Sequence, residues 1–128
     1  MIELTIGDVG DLIGKPYAPG ARGPDAFDCW GVCAEVYRRA GLVLPDYTHE
    51  PLTRAQTAAL MVGIAADRAE WIETPEAWCF AFDRRRGHVG LYWRGSVLHA
   101  ARKVGCILQR LNQFAVMYPG TTFARWRD

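Results

Sequence analysis

The chain has 128 residues, half of them hydrophobic, and a formal net charge of +1. That length suits one domain with a core of its own, and the balance of charge excludes a global basic field of the kind that holds nucleic acid or an acidic membrane. No apolar run approaches the ~20 residues of a membrane-spanning helix, so neither nucleic acid nor membrane is expected as a partner.

The first ten residues carry Glu3 and Asp8 and lack the basic-then-apolar pattern of a secretion signal, so synthesis in the cytoplasm is expected. Residues 9–13 read as a short helix ended by Gly14 and Pro16. Residues 15–26, rich in Pro and Gly with Tyr17 as their one aromatic, read as an ordered loop. Asp28 then has the character of an N-cap. Cys29, Val32, Cys33, Val36 and Ala40 recur at spacings of 3 and 4, the buried stripe of a helix that Gly41 closes. A connection containing His49 follows, and an Ala-rich second helix is expected from Thr53 to about Glu70.

After Pro75 the apolar period changes to two. Residues 78–82, 88–93, 97–101, 106–111 and 122–126 read as strands, with turns over 83–87, near 94–96 and over 118–120. Helices first and an antiparallel meander afterwards define an α+β class. Nothing in the chain signals a linker or repeat, so one domain over residues 1–128 is expected.

Chemistry concentrates in Phe27-Asp28-Cys29-Trp30-Gly31-Val32-Cys33. A cysteine at a helix N-terminus meets the positive end of the helix dipole, which favours the thiolate. On that argument the Cys29 pKa is expected near or under neutrality. A Cys nucleophile needs a base, and the base needs an orienting group. His88 begins an apolar strand and His99 lies in the next one; His49 has no such context and reads as a surface residue. If the intervening hairpin turns on Trp93-Arg94, His88 faces His99 directly; a three-residue loop with Gly95 as a bulge puts His99 on the other face. The parity is open at this level. Cys29 and Cys33 are poorly placed for a disulfide on one helix, Cys79 and Cys106 read as small buried hydrophobes, and no C-x-x-C pattern suggests zinc. Neither metal nor cofactor is expected.

Tyr17, Asp28-Cys29-x-Gly31, Gly87-His88-Val89-Gly90-Leu91-Tyr92 and Val97-Leu98-His99-Ala100, in that order, resemble the NlpC-type cell-wall cysteine peptidases of the papain-like superfamily. Ile13-Gly14-Lys15-Pro16-Tyr17 and Leu44-Pro45-Asp46-Tyr47 are most similar to the phage tail-tip branch. The resemblance implies a papain-like α+β fold with the nucleophile at a helix start. It implies Cys29 as nucleophile, His88 as base and then acid, His99 as the group orienting His88, and Tyr17 beside the oxyanion. It further implies hydrolysis of peptidoglycan stem peptides at a γ-D-glutamyl–diamino acid bond, and carriage in a phage tail among other tail proteins. An assembly role in the tail with weak or no hydrolysis is the alternative. Asp28, Trp30 and Arg86 form the expected substrate-binding set: Asp28 beside its cap role, Arg86 as part of a basic run that can attract stem carboxylates, and Trp30 as a packing residue or a groove wall. Trp30 stands where the family usually has Ser, and an indole N–H cannot accept a hydrogen bond from a substrate amine.

Overall fold

The computed structural model describes residues 2–46 and 68–127. Two short 3-10 turns, Ile6–Asp8 and Gly10–Leu12, stand where one helix over 9–13 was expected. Helix α1 (Cys29–Arg39) follows. The strands are β1 (Ala69–Ile72), β2 (Phe80–Asp83), β3 (His88–Trp93), β4 (Ser96–Ala101), β5 (Gly105–Arg110) and β6 (Thr121–Trp126), with helix α2 (Leu111–Met117) before β6. One six-stranded sheet has the order β1-β6-β2-β3-β4-β5, and all its pairings are antiparallel. The expected meander is therefore β2 to β5, while β6 returns to the far side of β2 and brings β1 in as an edge.

Asp28 caps α1 as its chemistry demands: Oδ1 accepts from the Gly31 N–H at 2.6 Å. At the other end Gly41 has φ +84°, the left-handed turn that ends a helix. The buried face of α1, Val32, Cys33, Val36 and Tyr37, packs on Phe80, Phe82, Val89, Leu91 and Leu98 across one side of the sheet. A smaller cluster of Ala81, Val97 and Phe114 fills the other side beneath α2.

Several expected boundaries move. β2 begins at Phe80 rather than at 78, because Trp78 has φ +65° and leaves the extended region. Three bonds hold it there: its N–H to the Tyr92 carbonyl at 2.6 Å, Tyr37 Oη to its carbonyl at 2.7 Å, and its indole N–H to the Leu4 carbonyl at 2.8 Å. Leu111, expected to end a strand, instead begins α2. The expected helix from Thr53 lies mostly outside the described residues, as does His49, but Ala69 and Glu70 belong to β1 and pair with Trp126 and Arg125. Among the described residues no helix is long and apolar enough to cross a membrane.

Candidate active site

The candidate site lies at the end of the sheet where β3 begins. Cys29 arrives there from α1, and His88 is the first residue of β3. The β3–β4 hairpin turns on Arg94-Gly95, both with positive φ (+46° and +84°), a type I′ turn. Its register pairs Leu91 with Leu98, Tyr92 with Val97 and Trp93 with Ser96. This two-residue loop lies one residue beyond the expected Trp93-Arg94, so His99 stands diagonal to His88 rather than opposite it. The parity is nevertheless the one that places both imidazoles on one face. Gly90 makes the diagonal possible: a Cβ there would fall 2.9 Å from the His99 Cβ.

His88 Nε2 and His99 Nδ1 are 2.8 Å apart, and His99 Nε2 lies 2.9 Å from Gln109 Oε1. Gln109 Nε2 donates to Met117 Sδ at 3.3 Å. That last contact orients the amide: its N–H groups face the sulfur and its oxygen faces His99. His99 must then carry its proton on Nε2, leaving Nδ1 to accept from His88 Nε2–H, so the lone pair of His88 falls on Nδ1. Tyr118 stacks on His88 (4.2 Å between centroids, 9° between planes), and Phe114 packs edge-on against His99 at 4.9 Å. Gln109, Tyr118 and Phe114 had no sequence signal as site residues, since strand register and α2 bring them here. Asp83, fully buried at the end of β2, accepts from the Arg85 and Arg86 N–H groups at 3.0 and 3.1 Å and from the Gly120 N–H at 3.3 Å. It thereby shapes the turn that leads into His88.

Cys29 lies beside this pair through the backbone. The N–H groups of Val89 and Trp30 aim at its sulfur and favour the thiolate, as does the charge of Arg22. Burial and the Asp28 carboxylate outweigh them, and the thiol is pushed up to about 12. The expected lowered value is thus reversed: the helix start contributes its amides, but the sulfur is too well desolvated for them to win. Burial, then the neighbouring His99, pushes His88 down to about 3, and burial also lowers His99. The pair therefore rests as neutral thiol and neutral imidazole. Among the described residues no hydrogen bond joins Cys29 to His88.

Tyr17 bridges Phe27, two residues before Cys29. Burial and the adjacent Cys29 raise its pKa. Asp28 is committed internally, since besides capping α1 it forms an ion pair with Arg22 at 2.8 Å. Arg86 is exposed on the turn before His88. Of the packing and groove-wall readings of Trp30, the structure takes the packing one. The residue is 7% exposed, its indole N–H donates to the Pro45 carbonyl at 3.0 Å and its ring stacks on Phe80 at 5.8 Å. One residue along a helix turns the side chain by about 100°, which carries Trp30 into the core while Cys29 faces β3. No group of three or more His, Cys, Asp or Glu side chains that could hold a metal is present among the described residues.

Fold and site together define an α+β domain in which a helix-start cysteine lies beside the backbone of the strand that carries His88, itself linked to His99. The family model for the NlpC/P60 family matches residues 14–118, and the chain belongs to that family. It is 33% identical over 89 residues to a "Probable endopeptidase" of Corynebacterium glutamicum, a match that covers 69% of this chain and 37% of the relative. The chain thus corresponds to little more than a third of that protein's length. Among solved structures, the NlpC/p60 domain of the peptidoglycan hydrolase SagA superposes with a TM-score of 0.63 at 22% identity, covering 93% of this chain and 92% of that one. An NLP/P60-family protein of Staphylococcus aureus gives 0.65 at 22% identity over 96% of this chain and 40% of its own. NlpC1 of Trichomonas vaginalis gives 0.63 at 20% identity, covering 96% and 43%. These likenesses establish the fold.

Proposed function

We propose that the chain is a cysteine endopeptidase that hydrolyses the γ-D-glutamyl–diamino acid bond of peptidoglycan stem peptides. The observation that carries this reading is the His88–His99–Gln109 chain, which engages His88 Nε2 and leaves Nδ1 as the basic nitrogen, on a strand whose next residue, Val89, turns its N–H to the Cys29 sulfur. Family membership supports it, as do the relatives named as an endopeptidase and a peptidoglycan hydrolase.

With both groups neutral, the step is general-base catalysis rather than attack by a standing thiolate. His88 Nδ1 takes the thiol proton as sulfur adds to the amide carbonyl. The Cys29 backbone N–H and the Tyr17 hydroxyl are the donors for the oxyanion, and one such donor is worth roughly 3 kcal/mol. His88 then returns the proton to the leaving amine. A water molecule, deprotonated by the same nitrogen, releases the acyl group from sulfur. The growing imidazolium charge is shared along the chain through His99 to the Gln109 oxygen.

Incubation of defined muropeptides with the protein, followed by product masses, tests the bond. A new amine on the diamino acid supports the assignment, and cleavage elsewhere redirects it. Acyl transfer to another amine, with no water added, would make the chain a transferase. We further propose delivery in a phage tail, on the strength of the Ile13–Tyr17 and Leu44–Tyr47 motifs. Co-assembly with tail proteins that is indifferent to Cys29→Ala supports that placement, and failure to associate with a tail removes it.

A further inference from the structure

Arg102 sits in the turn between β4 and β5, and that turn is pinned to the loop carrying Tyr17. The Cys106 N–H donates to the Lys15 carbonyl and the Gly14 N–H to the Cys106 carbonyl, each at 2.8 Å. Gly105 is pressed so close that a Cβ would come within 2.4 Å of the Lys15 carbonyl oxygen. The Tyr17 loop is in turn tied to the segment leading into Cys29, with the Phe27 N–H on the Pro16 carbonyl at 3.0 Å and the Ala18 N–H on the Phe27 carbonyl at 3.2 Å. These ties set the Arg102 guanidinium carbon 5.9 Å from the centre of the Tyr17 ring.

Four arginines of the molecule are already neutralised. Arg22, Arg38, Arg39 and Arg125 each engage a carboxylate. Arg102 is exposed, and among the described residues no carboxylate pairs with it. A guanidinium that lies against the Tyr17 ring and hydrogen-bonds the Tyr17 side chain, with no carboxylate paired to it, suits one ligand group above others: a planar carboxylate that its remaining N–H donors can hold. A γ-linked glutamyl residue carries such a group, because linkage through the side chain leaves its α-carboxylate free near the scissile amide.

We propose that Arg102, seated against Tyr17 on the loop that is tied to the segment leading into Cys29, is a specificity-determining residue that binds the free α-carboxylate of the γ-D-glutamyl residue. This deepens the endopeptidase reading and rests on it. It makes the protein selective for stem peptides whose glutamyl carboxylate is free over those in which it is amidated.

The test uses two tripeptides, L-alanyl-γ-D-glutamyl-diaminopimelate and its α-amide, which differ only in that group. Calorimetric titration into the Cys29→Ala protein is expected to show at least tenfold tighter binding of the free acid. Arg102→Gln in that background is expected to erase the difference by weakening the free acid alone, and Arg102→Lys to restore part of it. Equal binding of the two peptides, equal weakening of both by Arg102→Gln, or binding of neither overturns the proposal. Turnover by wild-type protein separates the two readings. A binding preference with hydrolysis of neither peptide sinks the endopeptidase and leaves the carboxylate site standing. Equal hydrolysis of both does the reverse.

Discussion

Gln109 is the residue on which the protonation pattern of the site turns, and replacing it tests that pattern. Its oxygen faces His99 Nε2 at 2.9 Å only because its amide N–H groups have the Met117 sulfur, at 3.3 Å, on the other side. In Gln109→Leu the chain of rings ends in an apolar side chain. His99 then has no acceptor to hold its proton on Nε2, and the charge developing on His88 loses its last dipole. A hydrogen bond on a charged chain is worth roughly 1.5–3 kcal/mol. One imidazole intervenes between Gln109 and the reacting nitrogen, so the lower part of that range applies. At about 1.4 kcal/mol per decade, kcat/KM on a muropeptide falls about 10- to 30-fold. Gln109→Glu distinguishes this reasoning from mere loss of packing. A carboxylate can only accept, so it keeps His99 in the productive tautomer; activity at neutral pH stays within roughly threefold, and the acid limb of the rate profile moves to higher pH. Stopped assays on both variants, with thermal unfolding as a control, read this out. Equal damage from Leu and Glu, or no damage from Leu in a folded protein, refutes the tautomer argument.

Three further outcomes follow from the geometry. In Gly31→Ala the new Cβ would meet the Ala21 carbonyl oxygen at 2.2 Å, an atom already fixed by the Asp28 N–H; overpacking of ~1–3 kcal/mol outweighs a helix-propensity gain of up to ~1, so thermal unfolding drops by several degrees, and a rise in Tm would contradict the close approach. Cys29 alkylation by iodoacetamide is slow at pH 7 and accelerates only in alkaline solution, because burial and Asp28 hold the thiol up at about 12; a rate plateau reached below pH 7 would restore the helix-dipole expectation. His88 and His99 both have folded pKa values below the unfolded ~6.5, so the stability of the fold holds above that pH and is lost as the pH falls below it, for His88 down to about 3. For His88 alone the loss between pH 7 and pH 5 is about 2 kcal/mol, measurable by urea unfolding, and an unchanged midpoint over that range would mean that the pair is not buried as described.

What the sequence made legible is what local chemistry decides. Asp28 announces a helix start because its side chain caps the backbone three residues on. β3 and β4 announce themselves by period and by Val and Leu content. What stayed hidden depends on distant partners. β1 is a four-residue edge strand at the end of an Ala-rich stretch, extended because β6 arrives beside it. α2 is seven residues long, too short for a periodic signal. The hairpin register slid by one residue because Arg94 and Gly95 both adopt positive φ, and Gln109 joined the site only through that register. The choice between packing and groove wall at Trp30 was hidden for a similar reason: its neighbour in sequence faces β3, but its own side of α1 faces Phe80. The thiol pKa shows the same division, since the helix start is a local feature visible in the sequence while burial is not.

The central claim is that Cys29, served by His88, cleaves a stem-peptide amide. Its most direct test is digestion of a purified γ-D-glutamyl–diaminopimelate muropeptide by wild-type, Cys29→Ala and His88→Ala proteins, read by mass spectrometry of products. The account predicts one new amine and one new carboxylic acid from the wild type, and neither from the two variants. Product formed by Cys29→Ala at the wild-type rate, or no product from wild type on any peptidoglycan type offered, would contradict it.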